Sequence, residues 1–387
     1  MPSRRRVLAA SVAAFGASGT GGCLGLGTRG PASVDSSPTS GGVASFQYDG
    51  GNCGWSDANP PTDDPRVAWR QIVPPSIAGQ PVVHGERVAL LWQGTLVTYR
   101  STNGGVATTA EFEWSAKHTP AIVGETLYVP IWKQDPPTAT ACKAISLADG
   151  TVRWSVDGGG QVTPAGDGVV LGGYGTEQLQ RVGSDGEKRW TRDLGGFASG
   201  PAFVDGTTTI GLDTGAVRSY GPDGTERWTR SVRGDVSAAP TLAPDGTAFV
   251  LTQAGRAYRI SPEGDVRWET GVADGTNDSA TLADGTLYVP TGDAIVALDT
   301  ADGSEEWRTE EAVDAAMTAA NDTLYGTNDA EIVALDRSNG KRRWSLQVYP
   351  RRYSDAMLST VRATPVAVGE TLFVAANTGE LFAIRAR

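Results

Sequence analysis

The chain has few of the residues on which most catalytic and metal centres depend. Its 387 residues include only two histidines, His84 and His118, and three cysteines that lie far apart in the sequence. A metal centre with several histidine ligands therefore cannot be built. The sequence also contains no Gly-x-Ser-x-Gly nucleophile motif, no phosphate-binding glycine loop and no EF-hand calcium loop. The sequence motifs therefore give no support for a hydrolase, a nucleotide-binding protein or a calcium-binding protein.

Positive charge and long apolar runs are scarce as well. There are 33 Lys and Arg residues against 44 Asp and Glu residues, and the sequence pI is about 4.8. An acidic surface argues against nucleic-acid binding, because a phosphate backbone needs a basic partner. The same balance fits a protein that stays soluble in high salt, so a halophilic origin is one hypothesis beside an ordinary acidic exported protein.

The N-terminus has the features of an export signal. Arg4, Arg5 and Arg6 precede a short apolar, small-residue run that ends at Gly21-Gly22-Cys23. A twin-arginine head followed by a lipobox-like cysteine predicts a Tat-type lipoprotein signal over residues 1–22. Cys23 then carries the lipid and anchors the protein to the outer face of the cytoplasmic membrane. The alternative is an accidental basic start and a free thiol.

Residues 23–60 are rich in Gly, Ser, Thr and Pro in their first half, which predicts a flexible tether followed by an N-terminal extension. The mature chain keeps two further cysteines, Cys53 and Cys142. In an exported protein such thiols pair in many cases, and a disulfide here would fasten the extension to the second repeat. Two unpaired buried thiols are the alternative.

One short motif recurs through the rest of the chain: an Asp-Gly or Asn-Gly turn with a Trp four residues later. Good copies run from Asp149-Gly150 to Trp154 and from Asp302-Gly303 to Trp307. Successive Trp residues of the series are 36 to 45 positions apart, a period typical of propellers and solenoids. The eight members are Trp69, Trp114, Trp154, Trp190, Trp228, Trp268, Trp307 and Trp344.

Each period contains four short alternating segments separated by turn residues, which predicts a four-stranded propeller blade. The chain ends on a third strand at Glu380–Arg385, whereas a Trp-bearing strand at Arg66–Arg70 has no blade before it. We therefore predict an all-β, eight-bladed β-propeller over residues 61–387, closed by the N-terminal strand pairing into the last blade. Each Trp would be a structural wedge between blades. His84 would be a turn residue and His118 a surface residue near the channel mouth.

The segment from Ala297 to Trp307, and its copy from Ala334 to Trp344, resemble the tryptophan-docking repeat of the pyrroloquinoline quinone-like propellers. That family includes quinone-dependent alcohol dehydrogenases and BamB-like lipoprotein scaffolds, and the resemblance covers about residues 45 to 387. The resemblance to the dehydrogenases implies a central site with adjacent cysteines and metal-binding acidic residues. No adjacent cysteine pair exists in this chain. We therefore expect neither a quinone cofactor nor a metal; the acidic stretch from Asp274 to Asp278 is interpreted as a solvated turn.

Two insertions interrupt the repeat, and both fall on the face of the disc opposite the Asp-Gly turns. They span Lys133–Ala141 and Tyr349–Val361. Binding residues commonly lie on variable loops of a rigid scaffold, and Arg and Tyr are frequent at binding hot spots. The candidate partner-binding residues are Tyr349, Arg351, Arg352, Tyr353, Trp132 and Lys133. The alternative is a solvated loop paired with nearby carboxylates.

These features predict a monomeric, lipid-anchored, non-enzymatic scaffold that binds partner proteins through one loop face. Two alternatives stay open at this point. The first is a quinone-binding oxidoreductase that lost the usual cysteines. The second is a protein that binds extracellular sugar or polymer through Trp132 and Tyr353.

Overall fold

The computed structural model describes residues 42–73, 79–92, 94–111, 115–116, 118–132, 140–173, 176–272, 275–276, 278–328, 331–348, 364–376 and 379–387. Over these residues the chain folds into eight antiparallel sheets that form the blades of an eight-bladed β-propeller. The described residues contain no helix, and hence none long and apolar enough to cross a membrane. The predicted fold class is confirmed.

Strands are numbered in chain order, and within each blade they are lettered A to D from the channel outward. The chain starts with β1 Trp55–Ser56 and β2 Pro65–Ile72. Blade 1 contains β3 Val82–His84, β4 Arg87–Trp92, β5 Thr95–Arg100 and β6 Val106–Glu111. Blade 2 contains β7 Ser115–Ala116, β8 Ala121–Val123, β9 Thr126–Trp132, β10 Thr140–Ser146 and β11 Val152–Asp157. Blade 3 contains β12 Gln161–Ala165, β13 Gly168–Gly172, β14 Gln178–Val182 and β15 Lys188–Asp193. Blade 4 contains β16 Ala202–Val204, β17 Thr207–Gly211, β18 Ala216–Tyr220 and β19 Glu226–Ser231.

The remaining blades follow the same plan. Blade 5 contains β20 Thr241–Leu242, β21 Ala248–Thr252, β22 Arg256–Ile260 and β23 Val266–Gly271. Blade 6 contains β24 Thr281–Ala283, β25 Thr286–Pro290, β26 Ile295–Asp299 and β27 Glu305–Thr309. Blade 7 contains β28 Thr318–Ala320, β29 Thr323–Asn328, β30 Glu331–Asp336 and β31 Arg342–Gln347. Blade 8 contains β32 Val366–Val368, β33 Thr371–Ala376 and β34 Glu380–Ala386, with β2 as its outer strand.

The ring closes through the N-terminal strand, as the sequence predicts. Strand β2 pairs antiparallel with the C-terminal strand β34, with Trp69 opposite Ala383. The two ends of the chain thus share one blade, and no edge of its sheet is left open at the seam.

Seven of the predicted Trp residues hold their blade against the next one. In each case the indole Nε1–H donates a hydrogen bond of 2.9 to 3.0 Å to a backbone carbonyl of the next blade's C–D turn, or of its equivalent in blade 8. The donors and acceptors are Trp69 to Ser101, Trp154 to Ser184, Trp190 to Pro222, Trp228 to Pro262, Trp268 to Thr300, Trp307 to Arg337 and Trp344 to Pro61.

The glycine of the Asp-Gly turn receives the indole ring of the preceding blade. At Gly264 the backbone has a φ of +89°, and a Cβ added there would lie 2.6 Å from Cγ of Trp228. Only glycine meets both demands, the positive φ and the close approach. The turn and the Trp of one repeat therefore act at two different interfaces, one on each side of the blade.

A second ring supports the indole within its own blade. In blade 6, Tyr288, Ala297 and Trp307 lie in one row across strands B, C and D, and the two ring centroids are 5.8 Å apart. Blades 2, 7 and 8 repeat this row of an aromatic residue, alanine and tryptophan. Pairs of this kind contribute about 0.5 to 1.5 kcal/mol beyond area burial.

Blade 1 departs from the prediction. Its outer strand β6 ends at Glu111, and the row position of the docking tryptophan is held by Thr108, opposite Thr98 and Ala89. The motif in this blade runs from Asn103-Gly104 to Thr108, so the assignment of Trp114 as the docking residue is wrong. Trp114 itself lies outside the described residues.

The two internal cysteines are not joined. Cys53 and Cys142 are both free and buried, and they belong to different hydrophobic clusters, Cys53 with blades 5 and 6 and Cys142 with blades 2 and 3. The prediction of a disulfide between them is wrong, since each thiol fills space in a separate core.

The docking contact can be tested at one glycine with a matched control. We expect Gly264→Ala to lower the free energy of unfolding by about 2 to 4 kcal/mol, from the positive φ and the overlap with the indole. Gly246→Ala has nearly the same φ, +86°, but its nearest neighbour would lie 3.7 Å away. This control should cost only about 1 kcal/mol. Urea unfolding measures both, and equal losses would contradict the proposed contact.

Candidate functional site

The central channel of the propeller is the place where an oxidoreductase of this fold would hold its cofactor. In this protein, part of the chain itself lies in the channel. We name residues 43–59 the channel segment. Val43, Gln47, Tyr48, Asn52 and Cys53 are at most 4% exposed. The packed domain therefore includes residues that precede the predicted boundary at 61, and this part of the predicted N-terminal extension is not a tether.

The channel segment satisfies the inner edges of the blades. An inner strand would otherwise leave unpaired N–H groups facing the channel. In seven blades the N–H of one inner-strand residue donates to an oxygen of the segment, over 2.6 to 3.0 Å. The pairs are Val83 to Val43, Ile122 to Ala44, Phe203 to Gly50, Leu242 to Gly51, Leu282 to Cys53, Ala319 to Gly54 and Ala367 to the Tyr48 hydroxyl. Blade 3 has Pro164 at this position, which carries no N–H.

Two amide side chains of the segment bind carbonyl groups of the inner ring. The Gln47 Nε2 group donates to the Ala280 carbonyl over 3.1 Å. The Asn52 Nδ2 group donates to the carbonyls of Pro201 and Pro240, at 3.3 and 3.2 Å. The segment therefore accepts hydrogen bonds from N–H groups of the inner ring and also donates hydrogen bonds to carbonyl groups of the ring.

Its backbone is strained at several positions and passes close to the ring. Gln47, Tyr48 and Asn52 have positive φ values of 47°, 77° and 56°. Gly50 passes so close to the ring that a Cβ would lie 2.7 Å from the carbonyl oxygens of Phe203 and Pro164. Such strain persists only where the surrounding structure holds it in place, as the ring of hydrogen bonds does here.

Both ends of the segment leave the channel on the same side. We name the side of the A–B and C–D turns the turn face, and the side of the B–C turns and D–A connections the loop face. Val43 pairs antiparallel with Val83, so the chain enters from the turn face. Trp55 and Ser56 run parallel to β28, back toward that face, and Asn59 donates to Gly369 in the A–B turn of blade 8.

A carboxylate and a thiol lie side by side in the segment. The Cys53 amide donates to Asp49 Oδ1 over 3.3 Å, and the Cys53 thiol lies 3.2 Å from the Leu242 carbonyl. Burial raises the pKa of Asp49 to about 6, although backbone N–H groups oppose that rise. Burial, and next the charge of Asp49, raises the pKa of Cys53 well above its usual value. Cys53 is therefore a protonated core thiol and not a nucleophile.

These residues do not fit a quinone and its metal. The dehydrogenase-like site expected from the resemblance needs adjacent cysteines and acidic ligands. Cys53 and Cys142 are in separate cores, and the part of the chain that the structure describes holds no group of three or more His, Cys, Asp or Glu placed to bind a metal. The inner-strand N–H groups that face the channel are already bonded to the segment.

The turn face carries a ring of carboxylates that sequence reasoning missed. Every A–B turn contributes one exposed acidic residue: Glu86, Glu125, Asp167, Asp205, Asp245, Asp284, Asp322 and Glu370. Some have basic partners, such as Arg181 at 3.0 Å from Asp167 and Arg337 at 2.9 Å from Asp284. The available signal was an acidic residue that recurs once per period in the A–B turn, beside a glycine in seven blades and beside Asn321 in blade 7. The ring gives this face a negative potential.

Most of the predicted partner-binding residues fall outside the described residues, namely Lys133, Tyr349, Arg351, Arg352 and Tyr353, as does the predicted lipidation site Cys23. Trp132 ends strand β9 on the loop face and is half-buried. The loop face also exposes Phe197 and Ile72, at 57% and 53%. His84 ends strand β3 before the Gly85 turn, with Nε2 3.4 Å from Glu125, and so is a turn residue.

Comparison with known proteins gives the family resemblance. Residues 213–387 match the family model described as outer membrane protein assembly factor BamB. BamB from Moraxella catarrhalis has a similar structure, with a TM-score of 0.67 and 13% identity over 83% of this chain and 99% of that chain. None of the curated protein sequences matches significantly. The predicted resemblance to BamB-like and quinone-like propellers is confirmed.

Other solved structures show how widely the fold is used. The quinohemoprotein alcohol dehydrogenase from Comamonas testosteroni has a TM-score of 0.71 and 12% identity, covering 92% of this chain and 81% of that chain. The computationally designed protein Ika8 has a TM-score of 0.62 and 12% identity, covering 83% and 99%. At such identities the likeness concerns the fold alone.

The channel segment can be displaced by one methyl group. We expect Gly50→Ala to push it from the ring, because the new Cβ meets two carbonyl oxygens. Hydrogen exchange at the inner-strand amides of Phe203 and Leu242 should accelerate by at least ten-fold, about 1.4 kcal/mol of local stability. Gly292→Ala, with no atom within 4 Å of its Cβ, is the control. Unchanged exchange in Gly50→Ala would contradict the segment's placement.

Asp49 should make stability depend on pH. Its pKa in the folded protein is about 6, above the unfolded value near 3.9, so the folded state binds the extra proton between these values. Its contribution is therefore fully present below about pH 4 and is lost as pH rises to about 6. We expect Asp49→Asn to remove this decline. Urea unfolding from pH 4 to 7 measures it, and an unchanged slope would show that the surroundings of Asp49 do not raise its pKa.

Proposed function

Since the chain carries BamB-like repeats on a closed eight-bladed propeller, we propose that it is a lipid-anchored, extracytoplasmic interaction scaffold without enzymatic activity. The anchor is Cys23, reached after twin-arginine export, and the site of action is the outer face of the cytoplasmic membrane. The propeller acts as a monomer that binds partner proteins on its surface.

The occupied channel is the observation that carries this proposal. In an enzyme of this architecture the channel has to present free polar groups to a cofactor or substrate. Here the inner N–H groups of seven blades are bonded to the chain's own segment, and Gly50 and Gly51 leave no room for a Cβ against the ring carbonyls. This supports a function that is carried by the outer surfaces.

The loop face supports partner binding best. The described strands that flank the two insertions end on this face, at Trp132 and at Gln347, and the sequence of the second insertion contains the basic and aromatic residues Tyr349, Arg351, Arg352 and Tyr353. This face also exposes the large apolar side chains Phe197 and Ile72, and Trp132 on the same face is half-buried. Aromatic and arginine side chains are frequent at interface hot spots. The turn face, by contrast, is ringed by carboxylates and releases the N-terminal chain.

Crosslinking of the native protein tests this function. We expect mass spectrometry of the membrane-anchored form to identify a reproducible protein partner that is lost from the soluble Cys23→Ser form. The double charge reversal Arg351→Glu and Arg352→Glu should lower the partner's yield at least ten-fold, as expected for a hot spot of about 1.4 kcal/mol or more. As a control, Arg267→Glu changes a charge on outer strand β23, away from the loop face, and should leave the yield unchanged.

The competing enzymatic function has its own signature. Titration with pyrroloquinoline quinone should produce no spectral change and no saturable binding. Quinone binding, together with the absence of any crosslinked partner, would reject the scaffold in favour of an oxidoreductase.

A further inference from the structure

Among the residues that the structure describes, none places an indole at the interface between blades 1 and 2, where a docked indole is found at the seven other interfaces. The row of blade 1 reads Ala89, Thr98, Thr108, where blade 6 has Tyr288, Ala297 and Trp307. Both rings of the docking stack are thus replaced by small side chains. The replaced residues all belong to blade 1, which is the blade that would supply the indole N–H donor at this interface.

The receiving side of the interface is intact. Leu147 occupies the turn position whose carbonyl accepts the indole N–H elsewhere, two residues before Asp149 as Thr300 is two before Asp302. Gly150 keeps the positive φ of +75°, yet the nearest atom to a Cβ placed there is Ala110 Cβ at 3.5 Å. A Cβ placed at Gly264 would lie 2.6 Å from the nearest indole atom, and one placed at Gly303 would lie 2.7 Å from its nearest indole atom. The turn of blade 2 thus keeps the geometry that accepts an indole at the other interfaces, and no indole of the described residues contacts it.

A cavity of about 290 Å³ lies at this place. It is lined by Ala89, Thr98, Ile122, Leu147 and Ala148, with His84, Glu86, Arg87 and Glu125 also in its wall. Thr98 is 4% exposed, and its hydroxyl has no hydrogen-bond partner. A buried hydroxyl without a partner is costly, so the chain's own described groups do not fully satisfy the wall of this cavity.

We propose that this cavity is a docking site for a tryptophan side chain of a partner protein. Seven copies of the same interface show what the receptor binds: an indole whose N–H donates to the turn carbonyl and whose ring, in six of the seven, lies on the turn glycine. The partner's indole N–H would donate to the Leu147 carbonyl, which has a second lone pair beside the one used by Arg87 at 3.2 Å.

The charged residues of the wall suit this occupant. Arg87 is exposed and reaches both the Leu147 carbonyl and the Thr108 hydroxyl, so its guanidinium borders the space for the ring and can stack on its face. The carboxylates of Glu86 and Glu125 would accept hydrogen bonds from the partner's backbone or from a basic neighbour of its tryptophan. The inference rests on the proposed scaffold function and adds to it a second partner contact, on the turn face, beside the contact proposed for the loop face.

The binding test uses indole itself as the probe, with the full-length soluble Cys23→Ser protein. We expect titration calorimetry or saturation-transfer NMR to show one site with a Kd on the order of 0.1 to 1 mM, which is usual for so small a ligand. 1-Methylindole, which cannot donate the hydrogen bond, should bind about five-fold more weakly, the equivalent of one net hydrogen bond. Absence of indole binding at 10 mM would overturn the proposal.

Thr108→Trp restores the missing docking residue and locates the site. We expect it to abolish indole binding and to raise the melting temperature, because the new side chain fills the cavity. Thr109→Trp places the same side chain on the exposed side of the same strand and should leave binding unchanged. If Thr108→Trp fails to fold, Ala89→Leu fills the cavity from strand β4 and should weaken binding at least ten-fold. Unchanged affinity in the filled variants would overturn the proposal.

This test is independent of the scaffold function. Indole binding that is lost in Thr108→Trp supports the docking site even where crosslinking finds no partner, which would reject the scaffold alone. When a partner is found, its crosslinking yield should fall in Thr108→Trp and not in Thr109→Trp. A yield that does not change would show that the partner does not use this cavity.

Discussion

The contact between one indole and the turn of the next blade is the interaction on which the ring depends. A single four-stranded blade cannot bury both of its faces, so its stability comes from its neighbours. Each docked Trp adds a large ring that is at least partly buried and a hydrogen bond to a turn carbonyl, and six of the seven also contact a turn glycine that no other residue can replace. At the seam, Trp344 finds the same acceptor in Pro61, so chain closure reuses the contact between blades.

A second constraint comes from the inner strands. A ring of edges around a channel leaves backbone N–H groups that have to be satisfied by water, by a ligand or by protein. In this molecule the channel segment supplies oxygens to seven blades, and the eighth has a proline that needs none. The same architecture occurs in an assembly factor, an alcohol dehydrogenase and a designed protein, so the fold does not decide between functions. What fills the channel bears on function more directly than the fold does.

The period of the Trp motif was enough to predict the architecture, the number of blades and the pairing of the chain ends, because each repeat encodes its own turns and strands. The channel segment was beyond such reasoning. Its residues, rich in Gly, Ser and polar side chains, resemble a linker, and their order arises from hydrogen bonds to residues as far away as Ala367. The position of Trp114 misled for a related reason. The Asn103-Gly104 turn points to Thr108, and only the strand register shows that the row continues there.

The central claim is that the chain's own segment closes the channel, and native-state alkylation of the cysteines tests it most directly. Cys53 lies in the segment, and Cys142 lies in the core between blades 2 and 3 and serves as an internal reference. In the Cys23→Ser protein under native conditions, iodoacetamide should leave both thiols unmodified to the same degree, as quantified by peptide mass spectrometry, and label both after unfolding. Rapid labelling of Cys53 with Cys142 still protected would show that the channel is open to small molecules, and would contradict this account.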